Sequence, residues 1–272
     1  MGEKSLKGFL LVSDIDGTLI TEDGEIPRRN VLAIERFTRE GGLFALATGR
    51  SEGSAERYVT KAAVNAPSII CNGTTIFDYQ SKSILWSTYL PAKSTEILGE
   101  IIERFPDVGI ELFCDAQILV LNSNELVDEH VEYEKLEVVR MKLKDAPANC
   151  NKMLFAAENA RLHEVEAFLE QREHDGVEYV FSSLKYYEAL PTGITKGSTV
   201  KVLADLLHID HSRIMGIGDY YNDLALVEAA AIGAVPENAP EELKSAANVI
   251  VCSCAQGAVA DFIEYIEQRF GK

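Results

Sequence analysis

The sequence predicts an α/β fold: a doubly wound, mostly parallel sheet built from both ends of the chain, with an α+β module inserted between them. Three observations predict it. Short apolar runs alternate with helix-length amphipathic stretches near both termini. Polar residues stand directly after each run, where open α/β sheets carry their ligands. In the middle of the chain the alternation gives way to strands at hairpin spacing.

The first run, Phe9-Leu10-Leu11-Val12, is continuous rather than alternating, which suits a strand covered on both faces. It ends at Ser13-Asp14-Ile15-Asp16-Gly17-Thr18. Pro27 opens a helix with Val31, Ile34 and Phe37 on one face, and Gly41-Gly42 stops it. A strand from Leu43 to Ala47 ends at Thr48-Gly49-Arg50. A helix from Glu52 to Ala63 and a strand from Ser68 to Cys71, ending at Asn72-Gly73, repeat the unit. Thr75 to Tyr79 and Ile84 to Tyr89 then read as strands, and Ser94 as the N-cap of a helix reaching Phe105. Gly109 to Cys114 and Gln117 to Leu121 have hairpin spacing. The acidic stretch from Glu125 to Glu137 reads as a solvated face. Strands at Val138 to Leu143 and Lys152 to Ala157, a helix from Arg161 to Arg172, and strands at Val177 to Ser182 and Tyr186 to Leu190 complete the module. The alternating pattern resumes with a helix from Lys196 to Leu207, a strand from Arg213 to Ile217 ending at Gly218-Asp219, and a helix from Asp223 to Ala230. Shorter units lead to a last helix, Ala258 to Phe270. The expected domains are therefore 1–83 with 190–272, and 84–189 between them.

Composition narrows the function. With 47% hydrophobic and 25% charged residues over 272 positions, the chain can build a full core. Lys and Arg number 26 against 43 Asp and Glu, a net charge of −17, and no basic run interrupts it, so nucleic acid is an unsuitable partner. A small phosphorylated metabolite remains compatible, because one local site can hold a cation against the global field. Five scattered cysteines suggest no disulfide framework and fit a reducing cytoplasm. Cys252-x-Cys254 lacks the second pair that zinc requires. No stretch approaches the ~18 apolar residues of a membrane span, so no membrane partner is expected. His130, His163, His174, His208 and His211 share no ligand spacing and are expected at the surface or at helix ends. Tyr186, Tyr187, Phe113, Leu119 and Leu121 are expected in the core of the inserted module.

The polar residues after the apolar runs are Asp14, Asp16, Thr48, Asn72, Asp219, Asn222 and Asp223. Converging on one sheet edge, their carboxylates raise one another's pKa unless a cation neutralises them. Hard oxygen ligands in that number point to Mg²⁺ rather than zinc. Lys196, opening the returning helix, adds the charge that a phosphate dianion needs during transfer. One of the first two aspartates can attack phosphorus, while the other, two residues on in an extended chain, can protonate the leaving oxygen. A calcium loop starting at Asp14 is excluded, since its sixth position, which must be glycine, is Leu19.

Taken in order, Asp14-Ile15-Asp16-Gly17-Thr18-Leu19, Thr48-Gly49-Arg50, Lys196-Gly197 and Gly218-Asp219-Tyr220-Tyr221-Asn222-Asp223 resemble the haloacid dehalogenase (HAD) superfamily. Asn72-Gly73 and Asn238-Ala239-Pro240-Glu241-Glu242-Leu243-Lys244 resemble its Cof-type sugar-phosphatase branch, which carries a large α+β cap after the third core strand. The resemblance implies that Asp14 is the nucleophile and Asp16 the general acid/base, the latter also a metal ligand through its carbonyl. It implies that Thr48 and Lys196 hold the phosphoryl group, with Gly49, Arg50, Asn72 and Asn222 on the phosphate or substrate side. Asp219 would complete the Mg²⁺ ligands and Asp223 would lie in or beside them. Tyr220-Tyr221 and Val235-Pro236-Glu237 depart from the branch, which often has smaller or more polar residues at the former and glycine at the latter. The expectation is a cytoplasmic, Mg²⁺-dependent phosphatase that hydrolyses small phosphomonoesters, sugar phosphates first, through an aspartyl-phosphate under a cap acting as lid. A mutase of the same fold, a non-catalytic phosphosugar-binding protein and a receiver-type phosphoacceptor are the alternatives. No motif encodes the oligomeric state.

Overall fold

Four consecutive buried residues, Leu10–Ser13, form β1, and their side chains divide between two cores. Leu11 packs with Phe44, Ile34, Phe37, Phe262 and Ile263 on one side, while Leu10 and Val12 pack with Val200, Leu203 and Leu226 on the other. This two-sided burial is why the run is uninterrupted by polar residues, each fully buried side chain of this size contributing about 1.5–3 kcal/mol. The computed structural model describes residues 6–115, 117–172 and 176–271; His174 lies outside the described residues. The chain divides into a first unit of Met1–Gly49, Ala55–Trp86 and Thr195–Lys272, and a second of Arg50–Ser54 and Ser87–Ile194.

In chain order, β1 leads to α1 (Arg28–Arg39), β2 (Leu43–Leu46), α2 (Glu52–Lys61), β3 (Ser68–Ile70), β4 (Thr75–Asp78) and β5 (Ser83–Ser87). The second unit continues with α3 (Glu96–Arg104), β6 (Gly109–Cys114), β7 (Gln117–Asn122), α4 (Glu125–Glu134) and β8 (Val138–Arg140). It closes with β9 (Lys152–Ala156), α5 (Asn159–Leu169), β10 (Val177–Phe181) and β11 (Tyr186–Pro191). The first unit resumes with α6 (Lys196–Leu206), β12 (Ile214–Ile217), α7 (Leu224–Ala229), β13 (Ile232–Pro236), α8 (Glu241–Ala246), β14 (Val249–Val251) and α9 (Ala258–Phe270).

The main sheet of the first unit has the order β14-β13-β12-β1-β2 and is parallel throughout. A bridge from Ala47 to Ile69 links its β2 edge to the small β3-β4-β5 sheet. Parallel pairing sends every strand's carboxyl end the same way, so the residues after β1, β2 and β12 share one edge. This is the α/β class that the alternation predicts.

The second unit is a six-stranded mixed sheet, β10-β11-β9-β6-β7-β8, antiparallel except for the β7–β8 pair. One face carries Ile110, Leu112, Met153, Phe155, Tyr187 and Ala189, packed on Leu98 and Ile101 of α3 and Leu162, Val165 and Phe168 of α5. Glu111, Lys152 and Glu188 alternate with those residues, yet they too are buried. Lys152 Nζ lies 3.0 Å from Glu188 Oε2 and 4.1 Å from the centre of the Phe113 ring.

Four expectations fail in this unit. Cys114 and Cys150 form a disulfide, because antiparallel pairing of Phe113 with Lys152 sets the ends of β6 and β9 side by side. The acidic stretch is no plain solvated face. Its helix α4, capped by Asn124 accepting from the Val127 N–H, buries Leu126, Val127, His130 and Glu134. His130 is therefore interior rather than a surface residue. Ser94 does not cap a helix, since a 3₁₀ turn over Ala92–Thr95 precedes α3 and the Ser94 hydroxyl donates to the Pro91 carbonyl.

Candidate active site

All the acidic candidates, with Thr48, Gly49, Asn72, Lys196 and Asn222, belong to the first unit. The Asp14 N–H donates to the Ile217 carbonyl at 2.9 Å, which extends the β1–β12 ladder by one step and turns the Asp14 carboxylate into the edge. Asp14 is buried, whereas Asp16, two residues on, is exposed. The chain then turns at Gly17, whose φ of +77° and closeness to Asp219 both exclude a side chain; a Cβ there would lie 2.3 Å from Asp219 Oδ2. Thr18 completes the turn by donating its hydroxyl to Asp219 Oδ1 at 2.8 Å.

Lys196 is 1% exposed at the start of α6, where Thr195 and Ser198 form a capping box. Its ammonium donates to Asp14 Oδ1 and to Asp223 Oδ1, each at 2.6 Å. Asp223 spends its other oxygen on the N–H groups of Asp219 and Tyr220, at 3.0 and 3.1 Å. Asp223 thus shapes the Asp219 loop and orients the lysine, with both oxygens engaged. Carboxylate oxygens of Asp14, Asp219 and Asp223 lie within 4.8 Å of one another.

Thr48 and Asn72 are stitched together by backbone: the Asn72 N–H donates to the Thr48 carbonyl at 2.9 Å. Asn72 sits at φ 54°, and its Oδ1 accepts from Asn222 Nδ2 at 2.9 Å. Gly73 lies against α6, where a Cβ would meet the Thr195 carbonyl oxygen at 2.5 Å. The structure therefore joins the β3 loop, the β12 loop and the start of α6. Arg50 belongs instead to the second unit, its guanidinium donating to Ser54 Oγ at 2.9 Å.

Electrostatics set this cluster apart. Burial, then the charge of Asp223, pushes the Asp14 carboxyl well above its ordinary range, against the pull of Lys196. Burial and Asp223 likewise push Asp219 up to about 7. For Lys196 burial works against the charge, but Asp14 and Asp223 outweigh it and hold its pKa above the usual lysine value. One ammonium is insufficient for three packed carboxylates, and such a set fits a hard divalent cation. Lys196 and Thr18 engage Oδ1 of Asp14 and of Asp219, so Oδ2 of each could face such an ion.

Two residues to which the sequence assigned no role at this site lie against it. Asn238 donates its amide to the Gly17 carbonyl at 3.0 Å and accepts from the Cys254 N–H at 2.9 Å, bracing the turn after Asp16. Burial, with the nearby Asp219, Asp14 and Asp16, pushes the Cys254 thiol up to about 12, and it donates to the Ile20 carbonyl. The motif around Asn238 was visible; its target was not.

A family model described as haloacid dehalogenase-like hydrolase matches residues 11–263. A pyridoxal phosphate phosphatase of Escherichia coli, YbhA, is 24% identical over 93% of this chain and 97% of its own. An HMP-PP phosphatase of Cronobacter sakazakii is 28% identical over 93% of each chain. The crystal structure of a haloacid dehalogenase-like hydrolase from Bacteroides thetaiotaomicron superposes with a TM-score of 0.84 at 28% identity, covering 95% of this chain and 99% of that one.

Proposed function

The chain belongs to the haloacid dehalogenase-like hydrolases and is a phosphatase of that family, and from this premise we propose that it hydrolyses small phosphomonoesters with Mg²⁺ through an aspartyl-phosphate. The observation that carries the reading is Lys196 held between Asp14 and Asp223 in a cluster with more negative charge than the protein itself neutralises. Asp14 would attack phosphorus, forming the O–P bond of an acyl phosphate as the ester O–P bond breaks. Asp16, exposed beside it, would give its proton to the departing alkoxide. As a carboxylate it would then take a proton from water, whose oxygen attacks phosphorus and returns Asp14 with release of inorganic phosphate.

Lys196, Thr48, the Gly49 N–H, Arg50, Asn72 and Asn222 would hold the phosphoryl oxygens and the nearby substrate. Asp14, the carbonyl of Asp16 and Asp219 would hold the metal, with Asp223 behind them fixing Lys196 and the Asp219 loop. When bound, the ion supplies positive charge to the phosphoryl oxygens and to the attacking carboxylate. The second unit, read as the cap 84–189 on a core of 1–83 and 190–272, would exclude water and select the substrate.

Sugar phosphates follow from the resemblance to the Cof-type branch, and the names of two relatives add pyridoxal phosphate and HMP-PP. A cytoplasmic site of action belongs to the same reading, with the Cys114–Cys150 disulfide as the observation against it; among the described residues no helix is long and apolar enough to cross a membrane. Phosphate release from a panel of phosphorylated metabolites, with and without Mg²⁺, tests it. One dominant substrate, lost in Asp14→Asn, is the expected result. Isomerisation without phosphate release would favour the mutase, and no turnover of any ester would overturn the reading.

A further inference from the structure

A second buried ionic cluster lies within the second unit, and of its members the catalytic reading gives a task to Arg50 alone. It begins at Glu111 on β6, which is 0% exposed and has both carboxylate oxygens 3.0 Å from His130 Nδ1. On the far side of the ring, His130 Nε2 stands 3.4 Å from Glu134 Oε1, one helical turn along α4. The same oxygen stands 3.5 Å from Arg50 Nη1. Arg50 is 2% exposed, bonded to Ser54 Oγ, with its guanidinium 5.2 Å from the centre of the Tyr133 ring. Tyr186 of β11 closes the cluster, its ring 5.0 Å from that of His130.

Charges alternate along this chain. Burial works against a charged His130, but hydrogen bonds to Glu111 and Glu134 outweigh it and raise its pKa to about 10. Burial likewise opposes ionisation of Glu134, yet His130 and Arg50 bring it down to about 2. Buried ion pairs of this kind are poor stabilisers, because apolar residues of equal volume often serve as well or better; their attested use is to fix one arrangement among several. The group fixed here is Arg50. It follows Gly49, where the chain leaves the first unit, and lies two residues beyond Thr48.

We infer that Glu111, His130 and Glu134 are positioning residues for Arg50, and that through it they hold the Thr48-Gly49-Arg50 segment ready for the substrate's phosphoryl group. The inference rests on the phosphatase reading for its consequence, though not for the geometry. The network removes conformational freedom from Arg50, Ser51 and the start of α2 before substrate arrives, so its loss falls on binding more than on turnover. Its action is indirect, through Arg50.

The experiment uses full-length Glu134→Gln, Arg50→Lys and the double variant. Kinetics on the best substrate of the panel should show each single change raising KM by about tenfold more than it lowers kcat, with the double no worse than the worse single, as coupled residues behave. Multiplying effects would overturn the network, as would a kcat loss with KM unchanged. Amide hydrogen exchange on the unliganded protein should quicken about tenfold or more over residues 50–54 in both single variants while β9 keeps its protection. Unaltered exchange at 50–54 overturns the proposal. Arg50→Lys leaves the buried Glu–His contacts intact and so reads the 50–54 segment even if Glu134→Gln does not fold. If the wild type turns over no ester, the phosphatase reading fails and exchange alone decides the positioning role.

Discussion

The two buried ionic clusters differ in how their charges add. In the first unit Asp14, Asp219 and Asp223 face one ammonium, Lys196, and the carboxyls of Asp14 and Asp219 are pushed up. In the second unit Glu111 and Glu134 face two cations, His130 and Arg50, and Glu134 is pulled down. Both are made of acids and bases taken out of water, so burial alone does not mark a functional site. The sign of what is left over does. A cluster that neutralises itself is complete as protein, whereas one with surplus negative charge is finished by something from outside.

If the surplus is catalytic, disturbing the first cluster should cost far more activity than disturbing the second. Asp14→Asn removes the proposed nucleophile while keeping its size, and phosphate release should fall on the order of 10⁴- to 10⁶-fold. Wild-type rates in that variant would dissolve the contrast between the clusters. Asp16→Ala removes only proton transfer, so a loss of about 10²- to 10⁴-fold is expected, largest for esters of poorly acidic alcohols. An equal loss for nitrophenyl phosphate, whose leaving group needs no proton, would assign Asp16 a different task.

Metal addition separates the clusters without any assay of turnover. Mg²⁺ at about a hundred times its Kd should add about 2.7 kcal/mol to unfolding free energy, read as a rise in Tm that EDTA reverses. Asp219→Asn should stabilise the metal-free protein by about 1 kcal/mol, by relieving like-charge repulsion, and should abolish most of the Mg²⁺ response. A lowered Tm without metal would mean that Asp219 is already compensated within the protein.

How legible each cluster was follows from how it is encoded. Asp14, Thr48 and Asp219 come directly after β1, β2 and β12, and an apolar run announces its own end, so position along the chain stood in for position in space. Gly17 was legible as a turn, but its second reason, the approach of Asp219, needed coordinates. The other cluster has no such marker. Glu111 looks like one polar residue in an alternating strand, and His130 and Glu134 like two polar residues in an acidic helix. Only the register that stacks β6 beneath α4 makes them partners. The Cys114–Cys150 bridge was hidden for the same reason, since it depends on which strands pair rather than on any local signal.

The smallest expected effect bears on the balanced cluster, and its sign is fixed by linkage. The folded pKa of His130, about 10, lies above its unfolded value near 6.5. Its contribution to stability is therefore whole below about pH 6.5 and is lost as pH rises through 10. Glu134, brought down to about 2, behaves in the mirror sense: its contribution is whole above about pH 4.5 and is lost as pH falls through 2. The groups facing the imidazole are Glu111 from β6, Glu134 from its own helix and Tyr186 from β11, and the two acids dominate. Between pH 5 and 6.5 the Tm advantage of the wild type over His130→Gln should be flat. From pH 7 to 10 it should shrink steadily, while the imidazole resonances of His130 stay those of the charged ring past pH 8. An advantage that grows over that range would mean the ring is buried neutral, and the second cluster would then carry a surplus of its own.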